Sequence, residues 1–183
     1  MKYEEKMLDS HLLYEGHILK LRKDSVLLPN AHKSTREVVE HPGGVCVAAV
    51  TDDGEVLLVR QFRYPFGEEL LELPAGKLEY GEDPLECGKR ELREEAGACA
   101  TEYTFLGKFY PTCGYSNEII YLYLAKGLTL GAQHPDEDEF LDVVRLPLEQ
   151  AVSMVLKNEL PDGKTQAALL KAFLLEKQEH RQH

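Results

Sequence analysis

Residues 76–98 constrain the fold most strongly, because they contain a helix whose two ends are both marked in the sequence. Asp83 can cap the first helical turn, and Pro84 suits the first helical position, where no backbone N–H is needed. Gly97 supplies the left-handed residue with which many helices end. The pattern therefore predicts a helix over residues 84–96.

The predicted helix has two distinct faces. Small and aliphatic side chains that can pack on a sheet share one face, namely Leu85, Gly88, Leu92 and Ala96. Glu91, Glu94 and Glu95 gather on another face, where like charges destabilise a helix unless a cation neutralises them. Carboxylate oxygens on a rigid element suit a hard cation such as Mg²⁺. A solvated helix face with Arg90 paired to Glu94 is the alternative interpretation.

The charge of the whole chain strengthens the argument for a metal ion. The 183 residues include 21 Lys and Arg against 32 Asp and Glu, which gives a net charge of −11. A chain with this negative charge is unsuited to binding the phosphate backbone of DNA or RNA, and we expect no nucleic-acid partner. An anionic ligand would need cations at its own site, from metal ions or a few placed arginines.

The same segment resembles the Nudix box, the signature of the Nudix hydrolase superfamily. The box is written G-x5-E-x7-R-E-U-x-E-E-x-G-U, with U aliphatic, and it is matched at Gly76, Glu82, Arg90, Glu91, Leu92, Glu94, Glu95, Gly97 and Ala98. Every fixed position agrees, although Ala98 is smaller than the usual aliphatic residue. The resemblance implies an α/β/α sandwich with a mixed sheet. It also implies Mg²⁺-assisted attack of water on a nucleoside diphosphate linked to another group.

Segments outside the box resemble the ADP-ribose pyrophosphatase branch of this superfamily. They are residues 36–43, 59–65, 70–76, 110–118 and 136–139, and the wider likeness runs from about Tyr14 to Leu175. Cys113 stands where the branch often has a proline, which affects the expected conformation of that loop. The branch implies Mg²⁺-dependent cleavage of ADP-ribose to AMP and ribose 5-phosphate.

Carried onto this sequence, the resemblance implies a metal site and a proton acceptor. The implied Mg²⁺ ligands are Glu91, Glu95, Glu139 and the backbone carbonyl of Ala75. Mn²⁺ could bind at the same site. Glu137 or Glu139 would accept the proton of the attacking water, and the sequence leaves the choice between them open. Glu94 is a further candidate for the catalytic set.

Substrate contacts are implied in the same way. Arg63 would hold a substrate phosphate, for which a planar guanidinium is better suited than an ammonium group. Arg36, in the N-terminal strands, would reach the site of a partner subunit, and Glu72 and Glu118 would line the cleft. The adenine ring needs a flat apolar partner, for which the unranked candidates are Tyr14, Phe62, Tyr64 and Tyr115.

Hydrophobic patterning outside the box predicts an α/β (α+β) fold. Residues 11–41 are typical of a small antiparallel sheet, and the run 45–50 followed by 56–60 predicts a buried hairpin. Helical periodicity appears over 148–156 and 165–176. We expect residues 1–42 to form a β-extension, exchanged between the protomers of a homodimer as in the branch. Residues 43–183 would form the Nudix domain.

Location and competing functions complete these expectations. The longest apolar runs are far below the roughly 20 residues that span a bilayer, and the first residues lack the pattern of a signal peptide. We therefore expect a cytoplasmic protein without a membrane partner. The alternatives to ADP-ribose are another nucleotide sugar such as GDP-mannose, or a dinucleoside polyphosphate. A further alternative is a domain that senses ADP-ribose without cleaving it.

Overall fold

A computed structural model describes residues 3–135 and 139–179, apart from the side chain of Glu179. The chain divides into two compact units. The first contains the described residues up to Gly43 together with Tyr110–Ile119, and the second contains Gly44–Phe109 and the described residues from Ile120 onward.

The first unit is built on a three-stranded antiparallel sheet. Its strands are β1 (Lys6–Glu15), β2 (Lys20–Leu27) and β3 (Lys33–Glu40), in the order β1-β2-β3. The segment 110–119 lies along β3, where the Val39 N–H donates to the Tyr115 carbonyl at 2.7 Å and the Asn117 N–H donates to the Val39 carbonyl at 3.1 Å. The predicted N-terminal antiparallel sheet is confirmed, although β1 already begins at Lys6.

The second unit contains the other strands and all three helices of the described residues. In chain order its elements are β4 (Gly44–Ala49), β5 (Glu55–Arg63), β6 (Glu68–Glu72), β7 (Ala75–Lys77), α1 (Pro84–Ala96), β8 (Ala98–Phe109), β9 (Ile120–Leu130), β10 (Leu141–Pro147), α2 (Leu148–Leu156) and α3 (Gly163–Glu179). One sheet is mixed, in the order β7-β4-β9-β8. The other is antiparallel, in the order β10-β5-β6.

Strand β4 lies at the centre of an α/β/α sandwich. Every residue of β4 is buried, and alternate side chains point to opposite faces of the sheet. Val45, Val47 and Ala49 pack with the buried face of α1. Cys46 and Ala48 pack on the opposite side, in a cluster that includes residues of α2 and α3. The fold class predicted from the sequence is therefore confirmed.

The predicted hairpin between β4 and β5 is wrong. The two runs are connected by a turn with a single isolated bridge, between Val50 and Val56, and then enter different sheets. Strand β4 instead pairs in parallel with β9 on one edge and antiparallel with β7 on the other. Both edges of β4 are thus already hydrogen-bonded, so β5 cannot extend the same ladder.

The helix predictions hold more closely. Helix α1 has the predicted bounds, because the Asp83 side chain accepts the N–H groups of Leu85 and Glu86 and Gly97 ends the helix at φ 60°. Helix α2 also has the predicted bounds, whereas α3 extends beyond the predicted 165–176 at both ends. None of the helices within the described ranges is long and apolar enough to cross a membrane.

Candidate active site

Helix α1 brings two buried glutamates to the backbone at Ala75 and Gly76, in strand β7. Glu91 and Glu95 are only 8% and 2% exposed, and they lie one turn apart. The Glu95 carboxylate accepts the Ala75 N–H at 2.8 Å. The Glu91 carboxylate occupies the space that a side chain at Gly76 would need, since Glu91 Oε1 lies 1.8 Å from the position of a Cβ there. The glycine of the box is therefore what lets this carboxylate approach the backbone.

Both carboxylates are buried close to other negative charges, although Glu91 Oε1 also lies 2.8 Å from Arg90 Nη1. Burial raises the pKa of Glu95 to about 8, and the negative charges of Glu91 and Glu139 act in the same direction. Burial also raises the pKa of Glu91 to about 6, although Arg90 opposes the shift. Hard divalent cations prefer oxygen ligands, and such a cation bound here would favour the ionised form of both carboxylates and so oppose both pKa shifts.

The residues present fit such a cation, provided that the backbone contributes. Within residues 3–135 and 139–179, no three or more His, Cys, Asp or Glu side chains lie close enough together to bind a metal ion by themselves. The two buried glutamates would need the Ala75 carbonyl and an acidic residue of the loop before β10. Glu139, in that loop, is exposed. Glu137 lies outside the described residues, and its role stays a prediction.

Arg90 ties the helix to the loop that precedes it. Its Nε donates to Glu82 Oε1 at 3.0 Å, and its Nη2 donates to the carbonyl of Lys77 at 3.3 Å. Its Nη1 donates to Glu94 Oε2 at 3.0 Å, so the carboxylate of Glu94 is engaged within the helix. The hydrogen bond from Arg90 lowers the pKa of Glu82. These contacts hold the loop against the face that carries Glu91.

A second cluster of charges surrounds Glu72, at the end of β6. The Nε and Nη2 of Arg63 donate to the two carboxylate oxygens of Glu72 at 2.6 and 2.7 Å. Lys164, in the first turn of α3, contacts Glu72 Oε2 and lies 3.0 Å from Asp162 Oδ2. Burial alone would raise the pKa of Glu72, but Arg63 and Lys164 lower it to about 2. Glu72 is therefore an ionised carboxylate beneath Arg63, and only 1% of its surface is exposed.

Residues 131–134 are hydrogen-bonded to the C-terminal end of α1. The Gly131 N–H donates to the Gly97 carbonyl at 2.6 Å, and the His134 N–H donates to the Glu94 carbonyl at 2.9 Å. The side-chain amide of Gln133 donates to the Glu95 carbonyl at 2.5 Å. These bonds fix the chain shortly before the acidic run 136–139.

Sequence reasoning did not find Gln133 or Lys164. Nothing in the sequence marks Gln133, because its partner is a backbone carbonyl. Lys164 does carry a signal, since a cation in the first turn of a helix is unfavourable against the helix dipole and calls for a compensating partner elsewhere.

Arg36 and Glu118 both belong to the first unit. The Arg36 guanidinium pairs with Glu5 and donates to the Thr35 carbonyl at 2.9 Å. Glu118 lies 3.4 Å from His41 Nδ1. Their predicted roles toward substrate stay predictions. The aromatic candidates are all more than half exposed, namely Tyr14, Phe62, Tyr64 and Tyr115.

Comparison with known proteins gives consistent matches. The model of the NUDIX domain family matches residues 22–171. A methanol dehydrogenase activator from Bacillus methanolicus is 40% identical over 181 residues, which cover 98% of each chain. An ADP-ribose pyrophosphatase from Bacillus subtilis (strain 168) is 41% identical over 168 residues, or 91% of each chain. The crystal structure of an ADP compounds hydrolase has the same fold, with a TM-score of 0.85, 21% identity and 97% coverage of each chain.

Proposed function

The chain belongs to the Nudix domain family, and on that basis we propose that it hydrolyses the diphosphate of ADP-ribose, with Mg²⁺, to AMP and ribose 5-phosphate. The observation that carries this proposal is the pair of buried glutamates, Glu91 and Glu95, set against the backbone of Ala75 and Gly76. The similar ADP-ribose pyrophosphatase from Bacillus subtilis supports the choice of substrate.

Different residues of the second unit would have different roles in this reaction. Glu91, Glu95 and the Ala75 carbonyl would hold the metal. The chemistry that bound Mg²⁺ supplies is neutralisation of the diphosphate charge and easier ionisation of the attacking water. Arg63 binds a phosphate through Nη1, the guanidinium nitrogen that Glu72 does not engage. A carboxylate of the acidic loop, Glu137 or Glu139, accepts the proton as water attacks phosphorus and the P–O bond of the anhydride breaks.

A homodimer and a cytoplasmic location form the rest of the proposal. Strand β1 is exposed at every position, and it carries an apolar set that a second copy could cover, namely Met7, Leu8, Leu12 and Leu13. In such a dimer Arg36 would reach the partner's substrate. All four cysteines of the chain are free, which agrees with a reducing compartment. Mn²⁺ would serve as a substitute for Mg²⁺.

Product analysis tests the function directly. ADP-ribose, GDP-mannose, NADH and diadenosine polyphosphates would be incubated separately with the protein, each with Mg²⁺ and with chelator. We expect metal-dependent AMP and ribose 5-phosphate from ADP-ribose, at rates well above those with the other compounds. Faster turnover of another compound would refute the substrate. Binding of ADP-ribose without turnover would indicate a sensor.

A second candidate function is activation of methanol dehydrogenase. It is favoured by the 40% identical relative that carries this name and matches 98% of the chain. The test is the rate of methanol oxidation by that dehydrogenase with and without the protein. An unchanged rate would reject this candidate and leave the hydrolase proposal intact.

A further inference from the structure

Four charged side chains form a cluster around the buried carboxylate of Glu72, and one of them is the predicted phosphate-binding arginine. Arg63 and Lys164 are the cations, and Glu72 and Asp162 are the carboxylates. The Lys164 side chain is only 13% exposed. Burying an ammonium group in the first turn of a helix costs free energy through desolvation and through the helix dipole. A lysine at this position therefore depends on its two carboxylate partners, Glu72 and Asp162.

Contacts within the cluster link Lys164 to Arg63 through one carboxylate. Both oxygens of Glu72 accept from Arg63, and the same Oε2 also contacts Lys164. A carboxylate with three charged donors around it has little rotational freedom. Glu72 consequently holds the Nε and Nη2 edge of Arg63 in one orientation, while the arginine side chain stays 36% exposed.

The first turn of α3 also forms a hydrogen bond with the backbone next to Glu72. The buried Thr165 hydroxyl accepts the Leu73 N–H at 2.9 Å. Asp162 accepts the Thr165 N–H at 3.0 Å and contacts Lys164, so that the turn itself is fixed. Residues 72 and 73 lie just before Ala75, where the predicted metal ligands begin. One helical turn thus anchors both the arginine and the strand end.

We propose that Lys164 is a positioning residue that acts through Glu72 to fix Arg63 for the substrate phosphate. Lys164 itself does not touch the substrate. The inference rests on the proposed hydrolysis only for its kinetic test, because the orientation of Arg63 can be measured in the substrate-free protein.

The kinetic test compares variants on the same helix. Lys164→Met removes the ammonium group, and we expect KM for ADP-ribose to rise about 10-fold while kcat changes less than about 3-fold. Lys164→Arg keeps a cation and should recover most of the loss. Lys171→Met is the matched control, since that exposed lysine donates to the Leu106 carbonyl at 2.7 Å, away from the cluster, and should leave KM unchanged. If Lys164→Met does not fold, Lys164→Gln provides the same comparison.

A double-mutant cycle shows whether the effect passes through Arg63. In an Arg63→Ala background, Lys164→Met should raise KM less than about 2-fold further, because the group it positions is already absent. An equal rise in both backgrounds would overturn the proposal.

The second readout needs no substrate. Exchange of the Arg63 Nε–H with solvent, followed by NMR, should become at least about 10-fold faster in the Lys164 variant as its bond to Glu72 loosens. Unchanged exchange would overturn the positioning role, even if another compound proves to be the substrate. Faster exchange without any ADP-ribose hydrolysis by the wild-type protein would refute the proposed function alone.

Discussion

Replacing Gly76 with alanine should disable the proposed metal site by steric contact. The added Cβ would lie 1.8 Å from Glu91 Oε1 and 1.9 Å from its Cδ, whereas ordinary van der Waals contact begins at 3.4 Å. The carboxylate would therefore have to retreat by roughly 1.5 Å. Mg²⁺ binds oxygen at about 2.0–2.1 Å with near-ideal geometry, so this displacement removes a ligand. We expect Mg²⁺ affinity and turnover to fall about 100-fold or more.

Calorimetric titration of Mg²⁺ and the thermal midpoint together test this reasoning. Gly131→Ala is the control, because among the described residues a Cβ there would meet the Gly97 carbonyl alone, at 3.6 Å, an ordinary contact. In the double variant Gly76→Ala with Glu91→Ala the clash is gone, so the thermal midpoint should rise above that of Gly76→Ala while Mg²⁺ affinity stays low. Wild-type Mg²⁺ affinity in Gly76→Ala would refute the placement of Glu91 in the metal site.

Two further predictions concern charge. In the metal-free folded protein burial raises the pKa of Glu95 from 4.5 to about 8. The folded state therefore holds its proton longer than the unfolded state, and the free energy of unfolding should fall as pH rises through this range. Urea unfolding measured in chelator should show this fall in the free energy of unfolding with pH, and saturating Mg²⁺ should reduce the fall. Identical pH dependences with chelator and with Mg²⁺ would contradict the prediction. Arg90→Ala breaks the bonds to Glu82 and the Lys77 carbonyl and should cost roughly 1–3 kcal/mol. An unchanged urea midpoint would contradict that role.

Local signals in the sequence were sufficient for α1 and its carboxylates. Asp83 and Gly97 set the ends of the helix, and helical periodicity then places Glu91 and Glu95 one turn apart on a single face. Patterning also gave the α/β (α+β) class, since runs typical of strands alternate with helical periodicity, whereas the α/β/α sandwich was implied by the resemblance to the Nudix box.

Features that depend on distant pairing could not be predicted. Strand β4 takes β9 and β7 as neighbours, a choice that the turn after β4 does not reveal. Lys164 meets Glu72 across 92 residues of sequence, so no local pattern connects them. Gln133 binds a main-chain carbonyl, for which side-chain patterning carries no information.

The most direct test of the proposed mechanism is the turnover number of Glu95→Gln with ADP-ribose and Mg²⁺. Glutamine can still accept the Ala75 N–H that Glu95 accepts at 2.8 Å, so the fold should persist. Glu86→Gln is the control on the same helix, because that carboxylate is 64% exposed and pairs only with Lys89 among its described contacts. We predict a loss of at least about 100-fold for Glu95→Gln and none for Glu86→Gln. Wild-type turnover in Glu95→Gln, with an unchanged circular dichroism spectrum, would contradict the central claim.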